Sequence, residues 1–145
     1  MIRKEQSIMK ELEIAASVDN LDAVLEFVTE ELANTDCSAK KQMQIELAVE
    51  EVFVNIAHYA YYPGTGSATV RVEVQPEPPS ITITFMDHGK PYNPLAREDP
   101  DVSQTAQSAK LGGLGIFLTK KSMDDVRYEY TDGSNILTMT KGLSL

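Results

Sequence analysis

One stretch constrains the fold more than any other: residues 45–60, IELAVEEVFVNIAHYA. Its apolar residues cover most of a helical circumference, the pattern of a helix buried inside a domain. Into that surface the sequence sets Glu51 and Asn55, four residues apart and so stacked on one face. A carboxylate or carboxamide inside an interior helix costs about 1–3 kcal/mol unless something satisfies it. Two readings are open. Either the two side chains are a hydrogen-bonded pair satisfied by neighbouring backbone, or they line a polar cavity. Glu50 is the rival carboxylate, but it points about 100° away on the helix and does not stack over Asn55.

The rest of the chain supplies walls for such a cavity. Residues 7–16 alternate like a first strand, and Asp19 or Asn20 can cap a helix carrying Leu21, Val24, Leu25, Val28 and Leu32 at helical spacing. Residues 34–38 form a polar break before the central helix, 39–60, which Pro63 and Gly64 end. Residues 68–75 and 80–86 alternate cleanly around the turn QPEPP, a hairpin. DHGKPYNP, 87–94, has loop chemistry, and 95–110 lack a period and read as a mobile loop of a length that is often functional. The run 111–115, LGGLG, opens a short helix over 116–123, and strands 126–130 and 136–141 close the chain around Thr131-Asp132-Gly133-Ser134. The order predicts an α+β fold, a two-layer α/β sandwich with a mixed β-sheet and helices on one face.

At 145 residues the chain is expected to be one domain, 1–145, able to bury a core without disulfides or metals. Its net charge of −9, from 22 acidic and 13 basic side chains, argues against nucleic acid or an anionic membrane as the main partner. The single Cys37 forms no internal disulfide, and no Cys/His cluster has zinc spacing. Without a signal-peptide core or a spanning apolar run, the expected location is cytoplasmic.

Three pieces carry candidate chemistry. Asn55 offers a neutral, hard amide oxygen suited to a Mg²⁺ ion that already holds phosphate oxygens, and Glu51 can accept a proton beside it. Asp87, ending a buried strand, is acceptor-only and suits an exocyclic amino group such as that of adenine, with Gly89 allowing close approach of a flat base. Gly112-Gly113-Leu114-Gly115 fits neither a Rossmann nor a Walker pattern, but small residues ahead of a helix N-terminus favour phosphate.

Glu51-x-x-x-Asn55, Asp87-x-Gly89 and Gly113-x-Gly115 together resemble the asparagine box and two glycine boxes of the GHKL ATPase superfamily. Within it the chain is most similar to the bacterial anti-sigma factor serine/threonine kinases, over residues 7–141. The resemblance implies the Bergerat ATP-binding fold, with ATP and Mg²⁺ as cofactors. It implies Asn55 as Mg²⁺ ligand, Glu51 as catalytic base and Asp87 as reader of the adenine amino group. Gly89 would border the base, Gly113, Leu114 and Gly115 would cradle the phosphates, and 96–112 would be the ATP lid. Three positions depart from the family pattern. Pro91 stands where a further glycine is usual. Leu111 occupies the area of a lid arginine, with Lys110 the nearest cation. The closing-hairpin threonine has only Ser134 or Asn135 nearby.

The function so implied is an anti-sigma regulatory factor with protein serine/threonine kinase activity. It would hold a sigma factor or similar protein, phosphorylate a STAS-type anti-anti-sigma antagonist, and form a homodimer. A nucleotide-binding partner switch without phosphoryl transfer is the alternative. A histidine-kinase catalytic domain fits less well, since no dimerisation helix pair bearing a phospho-acceptor histidine precedes the domain, and His58 and His88 lie in the central helix and the glycine-box loop.

Overall fold

The structure is a computed structural model, and it describes residues 7–96 and 113–144. Strand β1 (Ile8–Ala15) leads through a 3-10 turn (Val18–Asn20) into helix α1 (Leu21–Leu32), and the central helix α2 (Ala39–Tyr59) follows. Strands β2 (Ser67–Pro76) and β3 (Pro79–Asp87) form the first hairpin. Helix α3 (Gly113–Ser122) precedes β4 (Asp125–Thr131) and β5 (Ser134–Gly142).

Alternation along the strands gives the sheet one buried face. Val70 and Val72 of β2, Ile83 and Phe85 of β3, and Leu137 and Met139 of β5 share it, and they pack with Val24 and Val28 of α1 and Val49 and Phe53 of α2. Val70 pairs with Phe85 and Phe85 with Leu137, so three strands contribute to one layer of core. Period 2 on the sheet and period 3.6 on the helices thus meet in a two-layer α+β sandwich, as expected.

Three local expectations need correction. The sheet order is β1-β2-β3-β5-β4, and all four pairings are antiparallel, where a mixed sheet was expected. The cause is topological: β5 inserts between β3 and β4, so β4 never pairs with β3, to which it runs parallel. Helix α2 is apolar on one face rather than buried all round, with Met43 and Leu47 about 60 % exposed (63 % and 60 %). Asn20 does precede α1, but its side chain donates to the Ala15 carbonyl (2.9 Å) and caps no helical N–H. Ser38 is the effective cap of α2, its Oγ accepting from the Lys41 N–H at 3.1 Å.

Candidate nucleotide site

Asp87 is the last residue of β3 and falls on the strand's buried parity, so it faces the helices beyond Phe85 rather than solvent. It is 4 % exposed. Its cross-strand partner on β5 is Asn135, 6 % exposed. The two-residue turn Asp132–Gly133, both at positive φ (53° and 80°), sets the register of the β4–β5 hairpin. That register puts Asn135 on the buried face with Leu137 and Met139.

The hydrogen bonds that result are dense. Asn135 Nδ2 donates to Asp87 Oδ1 (2.9 Å) and to the carbonyls of Lys90 (2.9 Å) and Gly89 (3.4 Å). Its Oδ1 accepts from the Tyr92 N–H (3.1 Å) and from the Tyr128 hydroxyl. Asp87 Oδ1 also accepts from the Gly89 N–H (2.9 Å). Both donors to the Asp87 carboxylate therefore land on one oxygen, and the second takes no hydrogen bond from a described residue. Burial pushes the Tyr128 phenol above its ordinary range, which keeps it a donor.

Asp87 and Asn135 sit in the wall of a pocket that reaches across to Asn55 on α2. Ile56, Phe85, Ile116 and Leu137 supply apolar walls, and Lys90 places a cation at the edge. An apolar slot with a few convergent polar atoms is the usual form of a small-molecule site. Gly89 has a structural reason besides any ligand: a Cβ there would lie 2.1 Å from the Ala60 carbonyl oxygen. The neighbouring Lys90 N–H donates to that same carbonyl (3.1 Å), which ties the loop to the end of α2.

Glu51 and Asn55 are both half-buried, and Asn55 Nδ2 donates to Glu51 Oε2 at 2.9 Å. Both sequence readings thus hold in part, since the pair is bonded and also open to cavities. The bond commits the nitrogen end of the Asn55 amide and leaves its oxygen end for another partner. Burial, foremost, pushes the Glu51 carboxyl above its ordinary range; the Asn55 bond opposes this and Glu50 adds to it. Glu51 opens onto a second cleft, shared with Gly115, Leu47 and Leu118.

Helix α3 starts at Gly113, three residues earlier than the sequence suggested. Gly113, Leu114 and Gly115 therefore form its first turn, where backbone N–H groups lack helical partners. Glycine reads locally as a turn residue, which is why the pair hid the start of the helix. Apart from Ala96, the expected lid over 96–112 lies outside the described residues, and so do Lys110 and Leu111. The structure brings Asn55, Asp87 and Asn135 to one pocket, with Gly89 bonded to Asp87, and Glu51 and Gly115 to a second cleft that the Asn55–Glu51 bond joins to the first.

Asn135, Tyr128 and Tyr92 were not assigned from sequence. Only Asn135 left a usable signal there, as a polar residue on the same parity as Leu137 and Met139.

Residues 14–141 match the family described as histidine kinase-like ATPase domain, and the chain belongs to it. ATP is the ligand that family uses. Among similar proteins are the serine/threonine-protein kinase BtrW of Bordetella bronchiseptica and the serine-protein kinase RsbW of Listeria monocytogenes. The first is 27 % identical over 103 residues, covering 71 % of this chain and 72 % of that one. The second is 29 % identical over 101 residues, covering 67 % of this chain and 63 % of that one. A Mycobacterium tuberculosis structure containing RsbU and RsbW domains superposes with a TM-score of 0.65 at 16 % identity, over 94 % of this chain and 33 % of that chain. That likeness carries the fold.

Proposed function

We propose that this chain is an ATP-dependent protein serine/threonine kinase acting as a partner-switching regulator. Its targets would be a sigma factor or similar regulated protein, which it holds, and a STAS-type anti-anti-sigma protein, which it phosphorylates. The names of the BtrW and RsbW relatives support the kinase reading. The observation that carries the nucleotide part is Asp87, a buried carboxylate with one oxygen saturated internally and the other bonded by no described residue. That arrangement suits a single amino group presented by a purine.

In this reading Asp87 receives the amino group and the apolar walls hold the ring, with Gly89 at its border. Gly113, Leu114 and Gly115 turn the N–H groups of the first turn of α3 toward phosphate oxygens, and Lys110 assists. The residues fit a magnesium ion shared with phosphates: Asn55 has its oxygen end uncommitted, and one protein ligand beside phosphate oxygens is enough for Mg²⁺. When bound, the ion would offset charge on the phosphoryl oxygens. Among the described residues no cluster of three or more His, Cys, Asp or Glu side chains could hold a metal alone.

Glu51 would orient the acceptor hydroxyl and take its proton, its raised pKa matching it to work nearer neutral pH. No helix among the described residues is long and apolar enough to cross a membrane. In this reading the regulator would work in the cytoplasm, as a single domain and as a homodimer. The test is incubation with γ-labelled ATP and the cognate antagonist. Phosphoserine or phosphothreonine on the antagonist is the expected product. Bound nucleotide without transfer would instead favour the partner switch lacking kinase activity, the reading to which Leu111 in place of a lid arginine points.

A further inference from the structure

We infer that Gly115 is a positioning residue for Glu51: its bare α-carbon is what allows the Glu51 carboxylate to lie against α3 while bonded to Asn55. This rests on the reading of Glu51 as the base, and it gives Gly115 a task separate from phosphate contact.

The geometry is specific. A Cβ at position 115 would lie 1.9 Å from Glu51 Oε1, 2.1 Å from Cδ and 2.6 Å from Oε2. These are the three nearest atoms, and all belong to one carboxylate; none is backbone. A methyl at 115 therefore asks little of the fold, because what must yield is the end of a flexible side chain. Alanine is also the better helix former, and the position lies inside α3. What a methyl does displace is the functional group. Pushed off α3, the carboxylate moves away from the Asn55 amide that holds Oε2 at 2.9 Å.

The experiment uses Gly115→Ala, Glu51→Ala and the double variant of the full chain. In the ligand-free protein at one fixed pH, the Asn55 side-chain amide protons are followed by ¹⁵N-edited NMR. The proton bonded to Glu51 should stand apart in the wild type and move to its unbonded position in Gly115→Ala, as it does in Glu51→Ala; an Asn55 amide left unchanged by Gly115→Ala overturns the inference. In the kinase assay, Gly115→Ala should lose roughly tenfold or more in kcat with KM for ATP nearly constant, the signature of a group needed in the transition state. A rise in KM at constant kcat would mean that the methyl obstructs phosphate, and would overturn it too. Should Gly115→Ala unfold, adding Glu51→Ala must restore folding, since the carboxylate nearest the methyl is then gone; failure to restore it sinks the idea. A wild type that transfers no phosphate would refute the kinase reading, while the Asn55 amide resonance in Gly115→Ala still decides the role of Gly115.

Discussion

The two ends of the site, the Asp87 pocket and the neighbouring Glu51 cleft, are built by different means. At the Asp87 end the polar groups are fixed by strand register: Asp87 and Asn135 are cross-strand partners, and one carboxamide satisfies two loop carbonyls, a loop N–H, a phenol and a carboxylate. At the Glu51 end two helices meet around a single side-chain hydrogen bond and a missing Cβ. The first end is preorganised, which lowers the cost of recognising a ligand. The second keeps a half-buried carboxylate with one partner and a raised pKa, the condition of a group that must change protonation. On the proposed reading, recognition would be anchored in the sheet and proton transfer placed between helices.

The largest effect should come from breaking the second end alone. Glu51→Gln keeps the shape of the side chain and an oxygen for the Asn55 donor, so fold and ATP affinity should persist. Phosphoryl transfer should fall about 10²–10⁴-fold, the usual worth of a general base. Wild-type activity should also decline on acidification through the raised Glu51 pKa, above the ordinary glutamate range. Stability gives the matching sign. A raised folded-state pKa favours the native state fully below the ordinary glutamate value, and that contribution is lost as pH rises through the raised one. The Gln variant should gain on the wild type over that window in denaturant melts, and parallel pH profiles for the two proteins would be the contrary result.

At the first end, Asp87→Asn is the sharper probe, because it can retain both internal bonds at Oδ1 while replacing the other oxygen with a donor. Stability should change by less than about 1 kcal/mol. ATP affinity should drop by about 2–3 kcal/mol, roughly 30–150-fold, since an ionised acceptor is exchanged for a group that repels an amino hydrogen. Titration with a fluorescent ATP analogue measures it. An affinity within threefold of wild type would remove Asp87 from base recognition.

Sequence disclosed these ends unequally. Helix spacing made the Glu51–Asn55 stack legible, and alternation placed Asp87 at a strand end, because both are local periodicities. Asn135 lies 48 residues from Asp87, and its role depends on β5 inserting beside β3, which no hairpin pattern specifies. The start of α3 was misread because Gly113 and Gly115 resemble a turn locally, whereas Gly115 sits where another helix brings a carboxylate. Leu47 and Tyr59 misled in the opposite direction. Apolar residues are common on surfaces, so their presence did not make α2 an interior helix.

Asn135→Leu, close in volume, tests whether the network acts as a unit. It leaves the Lys90 carbonyl, the Tyr128 hydroxyl and one Asp87 bond without their partner, and should cost about 2 kcal/mol of stability. In a domain of this size that lowers the thermal midpoint by about 4–8 °C. ATP affinity should fall with it, because Asp87 is no longer held. Lost stability with unchanged affinity would show that the loop and the carboxylate are independent.

The smallest effect is expected from Tyr128→Phe, which asks whether the phenol is essential to the network or only supports it. Asn135 Oδ1 keeps the Tyr92 N–H at 3.1 Å after the hydroxyl is removed, so its acceptor is not orphaned. The Tyr92 N–H likewise keeps Asn135 and gives up only its longer, 3.3 Å contact with the phenol. The cost should therefore be that of one net hydrogen bond, about 1 kcal/mol, with ATP affinity within about fivefold. Its pH dependence separates it from the other variants. The Tyr128 pKa is raised chiefly by burial, so its contribution is complete below the ordinary tyrosine range and is lost only as pH rises through the raised value. The wild type should lose its advantage over Tyr128→Phe in alkaline melts and hold it unchanged through neutral pH. An advantage that instead vanished between pH 5 and 8 would mean that another group governs the Asn135 network.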